Sequence, residues 1–377
     1  MTTAIYAFSG DPITYGHINI IERASRVFDK IIVAIGQNPD KVYTFHLAKR
    51  KEMAKKFFHH FPHITVMSFS NLLIDFAYEQ GADVIIKGVR NSADFDYENI
   101  LDSVGRSQKI GIETHILFAD PELAHISSST VKAIAKHNGD ISEYVPLHVK
   151  QAIEERICDQ HIIGVTGEIG SGKSHISQMV FNSLNKKTFN NKISNIELDH
   201  IAHEILETLT EPSYVQVRKK IGEFAPTAID DKGFINRSIL GSIVFNDLNK
   251  LNKLNEIMTK PIMVRLRKEI FGKKGIILIN CALLAEANML SICNNNVILI
   301  KVDKDTQKKR LLDRGLTEEQ IETRLNSQYT YDRKKFQIEE EIRNSHHGKL
   351  WTIDNSNDID IEEYNKFEEA LIGEINV

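Results

Sequence analysis

Cysteine is scarce in this chain. Cys158, Cys281 and Cys293 are its only three, and their spacing suits neither a disulfide framework nor a zinc site, so reduced thiols are expected. An excess of one charge is missing too: 47 Lys and Arg stand against 51 Asp and Glu, a formal net charge of -4. Such a balance supplies no general basic field, so neither nucleic acid nor a membrane is expected as a partner, and any anionic ligand must be held by local clusters. No run is apolar and long enough to span a bilayer. The opening Met1-Thr-Thr-Ala-Ile-Tyr-Ala-Phe8 has no basic segment followed by an apolar stretch and a cleavage site. A cytoplasmic location is the default expectation. Repeats and low-complexity tracts are absent, and Phe189 to Asn195 reads only as a polar loop.

What is present is a chain of 377 residues, 42% hydrophobic and 26% charged, too long for one core and ordinary for a globular protein. Two domains are expected. Apolar β-branched runs at Ile31 to Gly36, Ile64 to Phe69, Val84 to Ile86 and His115 to Phe118 alternate with stretches of helical period. Those stretches are Ile18 to Phe28, Phe45 to His59, Leu72 to Tyr78 and Thr130 to His137, the last stopped by Asn138-Gly139; another helix follows Pro146. Near Cys158 the series restarts, with strands expected at Ile162 to Thr166, Ile196 to Leu198, Ile276 to Ile279, Val297 to Val302 and Trp351 to Ile353. The expected fold class is α/β, with a parallel sheet in each half and domains spanning 1–158 and 159–377.

The sharpest local signal is Gly167-Glu-Ile-Gly170-Ser171-Gly172-Lys173-Ser174, directly after an expected strand. Glycines let successive N–H groups turn onto phosphates, and the following helix offers its positive end to the same anion. Lys173 is expected to reach the outer phosphates and Ser174 to ligate Mg2+. Asp199, after the apolar Ile196-Glu-Leu198, is expected at a strand's C-terminal edge, where its carboxylate could take a proton from a substrate hydroxyl. Capping a helix from Ile201 would use the same residue. Arg310 and Arg314, four apart on one helix face, could clamp phosphates, with Arg324 adding to them.

In the first half, Thr14-Tyr-Gly-His17 places a glycine beside a histidine at a helix start, and Ala124-His-Ile-Ser127-Ser128-Ser129-Thr-Val-Lys132 forms a second helix start. Two such termini can face one triphosphate, with the imidazole donating to developing charge. The serines could equally serve as caps. Lys41, Lys87 and Arg90 are expected in loops after successive strands, on the side where ligands gather.

Over residues 161–377 the chain resembles dephospho-coenzyme A kinase. The phosphate loop, Asp199-His-Ile-Ala-His203, Asp231-Lys-Gly-Phe-Ile-Asn-Arg237, Leu254-Asn-Glu-Ile-Met-Thr-Lys-Pro261, Leu283-Leu-Ala-Glu286 and Arg310-Leu-Leu-Asp-Arg314 carry the likeness. It implies a P-loop kinase fold that moves the ATP γ-phosphoryl to a ribose 3′-hydroxyl with Mg2+. It also implies Gly167, Gly170, Ser171, Gly172, Lys173, Ser174 and Arg314 at ATP and Asp199 at the acceptor. Glu168 stands where that family usually has Gly.

Over residues 2–157 the chain resembles bacterial phosphopantetheine adenylyltransferase. Asp11-Pro-Ile-Thr-Tyr-Gly-His17, Asn38-Pro-Asp-Lys41, Ile86 to Glu98 and Ile126-Ser-Ser-Ser-Thr-Val-Lys132 carry this likeness. It implies a nucleotidyltransferase Rossmann-like sheet and in-line attack of a substrate phosphate on the ATP α-phosphorus. Ser9, in place of the usual Thr, would orient that phosphate, while His17, Lys41 and Arg90 stabilise the reacting centre. Leu72 and Leu73 would line the pantetheine arm, and Lys87, in place of a common Arg, would bind its phosphate. ATP would be held by Ser9, Gly10, His17, Gly88, Arg90, Glu98, Ser127, Ser128 and Ser129. Ala7-Phe-Ser-Gly10 replaces the usual Pro-Gly-Thr-Phe, and relatives of this half assemble as hexamers.

Together the halves suggest consecutive steps, with ATP, 4′-phosphopantetheine and dephospho-coenzyme A as ligands. Two other readings stay open at this point. The second half could be a nucleotide-binding regulator or a kinase of another nucleoside, or the chain could sense coenzyme without catalysis.

Overall fold

The computed structural model describes residues 1–187, 192–357 and 361–375. Of the polar loop expected at Phe189 to Asn195, residues 189–191 lie outside the described residues; Lys192 is irregular and a strand begins at Ile193. The chain divides into two compact units, Met1–Ile157 and Cys158–Val377.

In the first unit, β1 (Thr3–Phe8), β2 (Lys30–Gly36), β3 (Ile64–Phe69), β4 (Val84–Val89) and β5 (Glu113–Phe118) form a parallel sheet of order β3-β2-β1-β4-β5. Pleating sends Ala4, Tyr6, Ile31, Val33 and Ile35 into one apolar layer and Ile5, Ile32, Ala34 and Ile85 into another. Both faces of the central strands β1, β2 and β4 are covered, which is why these read as apolar runs. The helices are α1 (Tyr15–Ala24), α2 (Leu47–Phe58), α3 (Leu73–Glu79), α4 (Ser92–Ser107), α5 (Ser128–Ala135) and α6 (Leu147–Ile153). Strand order reverses between β1 and β4, opening a crevice at their C-terminal ends, where α/β sheets bind ligands.

Sequence periodicity did not reveal α4. It has no buried residue and leaves Phe95, Tyr97, Ile100, Leu101 and Val104 exposed, so its apolar stripe faces no core of this unit. Its start is set locally: the Asn91 side chain accepts the Asp94 N–H at 2.9 Å.

In the second unit, β6 (Gln160–Gly167) is central, with order β10-β9-β6-β8-β7, all parallel. The helix α7 (Lys173–Lys187) follows β6, and β7 (Ile193–Glu197) leads into α8 (Leu198–Glu207). A helical segment follows, comprising α9 (Pro212–Gly222), α10 (Arg237–Val244) and α11 (Leu248–Ile270). Then come β8 (Gly275–Asn280), β9 (Asn296–Lys301), α12 (Lys304–Asp313), α13 (Glu318–Asn326), α14 (Tyr331–Ser345), β10 (Lys349–Asp354) and α15 (Ile361–Ile375). Alternate residues again fill two layers, with Ile277, Ile279, Val297 and Leu299 opposite Ile276, Leu278, Ile298 and Ile300.

Two placements differ from expectation. Strand β4 runs on to Val89, so Lys87 lies within it rather than in a loop; the buried ammonium is tolerated there because Glu98 pairs with it at 2.6 Å. Strand β7 stops at Glu197, so Asp199 sits in the first turn of α8, where a carboxylate complements the helix dipole. The cap of α8 is Glu197, not Asp199.

Candidate active sites

In the first unit, Thr14 caps α1 and places His17 one turn in. The Thr14 N–H donates to His17 Nδ1 at 3.1 Å, and the Thr14 hydroxyl lies 2.8 Å from the same nitrogen. Nδ1 therefore accepts, which puts the proton of the neutral ring on Nε2 and makes that nitrogen a donor. Burial, reinforced by the Arg90 charge, brings the His17 pKa down to about 4, so the ring is neutral near pH 7. Phe8 stacks on it with centroids 4.4 Å apart.

A second helix end meets this one. The Ser128 hydroxyl donates to Pro12 O at 2.8 Å, and a Cβ on Gly16 would stand 3.7 Å from Ile126 O. Ser127 caps α5 by accepting the Thr130 N–H at 3.0 Å, while Ser129 is exposed in the first turn. The starts of α1 and α5 thus lie together beside the end of β1.

Arg90 follows β4 and grips Asp94 through two bonds, Nε to Oδ2 at 2.7 Å and Nη2 to Oδ1 at 3.1 Å. That bond to Asp94 holds the guanidinium pKa above its ordinary value. Gly88 has a packing reason: a Cβ there would sit 3.1 Å from Tyr6 Oη and from Ile20 Cγ1. Glu98 is engaged by Lys87, and Lys41 is exposed in the turn after β2. Leu72, Leu73 and Lys87 line a cavity of about 170 Å³ with Leu101 and Arg106.

The loop Phe8–Gly10 is held by a residue that carries no signal in the sequence. Arg50 is 1% exposed and donates to the carbonyls of Ser9, Gly36 (2.8 Å) and Phe45 (3.1 Å). Nothing in Lys49-Arg50-Lys51 separates it from solvated neighbours. Buried Asp11 accepts Thr44 N–H (3.0 Å), Phe45 N–H (2.9 Å) and the Lys132 ammonium (2.8 Å). Burial alone would raise its pKa; Lys132 and the two amides outweigh burial and hold it below the usual range. Asp11→Ala strands an ammonium and two amides, so urea unfolding of the first unit should show a loss of about 3 kcal/mol.

In the second unit the phosphate loop connects β6 to α7, with Gly170 and Gly172 at φ +78° and +85°. A Cβ on Gly172 would meet Asn355 Nδ2 at 2.2 Å, so only glycine fits. Asn355, just after β10, donates to Ser171 O at 2.8 Å; its position past a strand end was the available signal. Ile169 is clamped on both sides, its N–H donating to Gln328 Oε1 (3.1 Å) and its carbonyl accepting from Gln307 Nε2 (2.8 Å).

Lys173 Nζ donates to Glu168 O at 3.1 Å and lies 3.4 Å from Gly167 O. Burial first, then the Lys334 and Arg314 charges, lower its pKa to about 8, while Asp199 and Cys281 act the other way. Asp199 is exposed beside it, and Ser174 is exposed in the first turn of α7. Arg310 Nη1 is 3.5 Å from Ser171 O, and Arg314 caps the end of α12. Arg324 instead lies over the Phe245 ring, 5.5 Å from its centroid. Buried Lys334 donates to Ala282 O at 2.7 Å and to Glu286, whose Oε1 accepts the Tyr329 N–H at 3.0 Å.

Fold and site define a nucleotidyltransferase unit followed by a P-loop kinase unit. The sequence profile of the dephospho-CoA kinase family matches residues 161–349, and that of the cytidylyltransferase-like family matches residues 9–134. Phosphopantetheine adenylyltransferase of Nautilia profundicola is 47% identical over 145 residues, 38% of this chain and 94% of that protein. Its counterpart in Alkaliphilus metalliredigens is 44% identical over 156 residues, 41% of this chain and 99% of that protein. A solved dephospho-CoA kinase from Campylobacter jejuni is 23% identical and covers 57% of this chain and 97% of its own, at a TM-score of 0.35. This chain belongs to the phosphopantetheine adenylyltransferase family in its first part and to the dephospho-CoA kinase family in its second. Both families are enzymes, and the chain is a fusion of the two. Among the described residues, no helix is long and apolar enough to cross a membrane.

Proposed function

We propose that the chain carries out two consecutive late steps of coenzyme A synthesis, with residues 1–158 as the adenylyltransferase and 159–377 as the kinase. The observation that carries this reading is that the first unit joins two helix N-termini around a neutral, donating His17, and the second frames Lys173 in a glycine loop. In the first step the phosphate of 4′-phosphopantetheine attacks the ATP α-phosphorus and pyrophosphate leaves, giving dephospho-coenzyme A. Ser9 orients the attacking phosphate, and Leu72, Leu73 and Lys87 hold the pantetheine end. His17 Nε2, Lys41 and Arg90 meet the charge that develops, while Gly10, Gly88, Glu98 and Ser127 to Ser129 hold ATP. In the structure Arg90 is paired with Asp94 and Lys87 with Glu98, so both cations already stand beside the end of β4.

In the second step the ribose 3′-hydroxyl of dephospho-coenzyme A takes the γ-phosphoryl of a second ATP. Gly167, Gly170, Ser171, Gly172 and Lys173 cradle the phosphates, Arg314 closes on them, and Asp199 accepts the hydroxyl proton. Both families generally work with a divalent metal, and we assign it as Mg2+. The Ser174 hydroxyl, exposed beside the loop, would hold it, and when bound the ion neutralises phosphate charge. The exposed apolar face of α4 supports a homo-oligomer, a hexamer by the likeness of the first unit, and the ligand set supports a cytoplasmic location.

The test is one incubation of the chain with 4′-phosphopantetheine, ATP and Mg2+, resolved by mass. Coenzyme A, pyrophosphate and ADP are expected. Finding neither dephospho-coenzyme A nor coenzyme A would refute the adenylyltransferase assignment, and failure to phosphorylate supplied dephospho-coenzyme A would refute the kinase.

A further inference from the structure

The helix α12 lies directly on the phosphate loop. A Cβ on Gly170 would stand 3.1 Å from Leu311 Cγ and 3.3 Å from Gln307 Cγ, and one on Gly172 would stand 3.5 Å from Arg310 Nη1. Counting from Gln307, Arg310, Leu311 and Arg314 follow at three, four and seven residues, so they share one face of the helix, and that face meets the loop. Gln307, 4% exposed, donates from Nε2 to Ile169 O at 2.8 Å. The other bond to Ile169 comes from the far end of the same hairpin: Gln328, two residues after α13, accepts the Ile169 N–H at 3.1 Å. Backbone polarity fixes both side-chain amides, since only an oxygen can meet that N–H and only an NH2 that carbonyl.

Gln328 is rooted in turn. Its neighbour Tyr329 donates its N–H to Glu286 Oε1 at 3.0 Å, and buried Lys334 bonds both Glu286 and Ala282 O, a carbonyl that also accepts the Thr166 hydroxyl at 3.2 Å. Thr166 belongs to β6, the strand that feeds the loop. Both ends of the α12–α13 hairpin are therefore closed on one loop residue. The direction of its peptide matters. The Ile169 carbonyl and the Gly170 N–H share one trans peptide and point oppositely, so a carbonyl held on α12 also sets where the Gly170 N–H aims. Gly170, at φ +78°, has by itself the freedom to take other orientations.

We propose that Gln307 and Gln328 are positioning residues for phosphoryl transfer: they close the α12–α13 hairpin on Ile169, so that the loop amides and the arginine face of α12 form one anion site before nucleotide arrives. This rests on the kinase assignment above. Released from the clamp, the Ile169–Gly170 peptide can turn its carbonyl toward the phosphates, and ATP binding has to reverse that turn. The ordering cost falls on the KM for ATP and not on kcat. Misfolding alone would do the opposite, lowering kcat through a smaller active fraction with KM unchanged.

The experiment measures phosphorylation of supplied dephospho-coenzyme A by the full chain, with pyrophosphate formation from 4′-phosphopantetheine and ATP as a separate control on the first unit. Gln307→Met and Gln328→Met keep the side-chain volume and remove the bond. Each should raise the KM for ATP about fivefold, the size of one hydrogen bond, with kcat and the KM for dephospho-coenzyme A within about twofold. Gln307→Glu and Gln328→Glu add the same charge beside the same residue, yet only Gln328→Glu keeps the acceptor that the Ile169 N–H needs. Gln307→Glu loses its donor and sets a carboxylate against a carbonyl, so it should raise the KM for ATP about fivefold more than Gln328→Glu. Equal effects of the two Glu substitutions would reject the proposed bonds. A parent chain that makes coenzyme A while both Met variants leave the KM for ATP unchanged, or lower kcat alone, would overturn the clamp alone. A parent that leaves dephospho-coenzyme A unphosphorylated would overturn the kinase assignment and the clamp with it.

Discussion

The chain carrying Lys173→Ala, given 4′-phosphopantetheine, ATP and Mg2+, should release pyrophosphate at the parental rate but accumulate dephospho-coenzyme A, with coenzyme A formation down about 10³-fold. The magnitude follows from where Lys173 sits. Its ammonium rests on the carbonyls of Glu168 and Gly167, at the mouth of a loop whose other donors are backbone amides. It is the cation of the loop itself, and it acts in a site dry enough to pull its pKa to about 8. Phosphoryl transfer needs positioning and charge neutralisation more than covalent chemistry, so deleting that cation removes much of what the loop supplies. The same pKa sets a pH signature: kcat/KM for the kinase step should fall as pH rises through about 8, where the free enzyme's ammonium loses its proton. Identical products from the variant and the parent would favour a regulatory P-loop over a catalytic one.

His17→Ala should lower dephospho-coenzyme A formation by about 10²- to 10³-fold while leaving phosphorylation of supplied dephospho-coenzyme A unchanged. The imidazole is neutral and donates through Nε2 because Thr14 occupies Nδ1 and burial opposes protonation. Its donor role needs no titration near neutrality, so this histidine should leave the adenylyl-transfer rate flat between pH 6 and 8. Stability carries the other half of the test. With a pKa of about 4 folded against an ordinary 6.5, the unfolded chain binds more protons between those values. Stability of the first unit therefore rises with pH across that window, is fully present above 6.5 and is lost toward 4. His148, lowered to about 4 chiefly by burial, contributes with the same sign, so the variant should remove part of the slope and not all of it. A variant as active as the parent would exclude His17 from the reaction.

Much of the fold was legible because parallel strands covered on both faces need apolar residues at every position, and those runs stand out. The strands around Ile31 and Val297 are of this kind. Strand ends were harder. Lys87 read as a loop residue because a charge inside a buried strand has no rationale until Glu98, on the following helix, is placed beside it. Asp199 reads as a strand-end residue because Ile196 and Leu198 are apolar; Leu198 in fact begins the buried face of α8. Helix α4 escaped notice because its apolar residues point outward and match no core.

The amino-acid sequence by itself determined where nucleotides can be held, since helix N-termini, glycine turns and a following lysine are contiguous, and backbone donors converge whenever such a segment folds locally. Only the tertiary structure decided what keeps those segments in shape. Asp11 with Lys132, 121 positions apart, and Asn355 with Ser171, 184 apart, meet because strand order brings their elements together. Arg50 on the Ser9 carbonyl and Lys334 on Glu286 differ from solvated neighbours only in burial. A long-range bond depends on sheet order and packing, which no local pattern of residue types encodes.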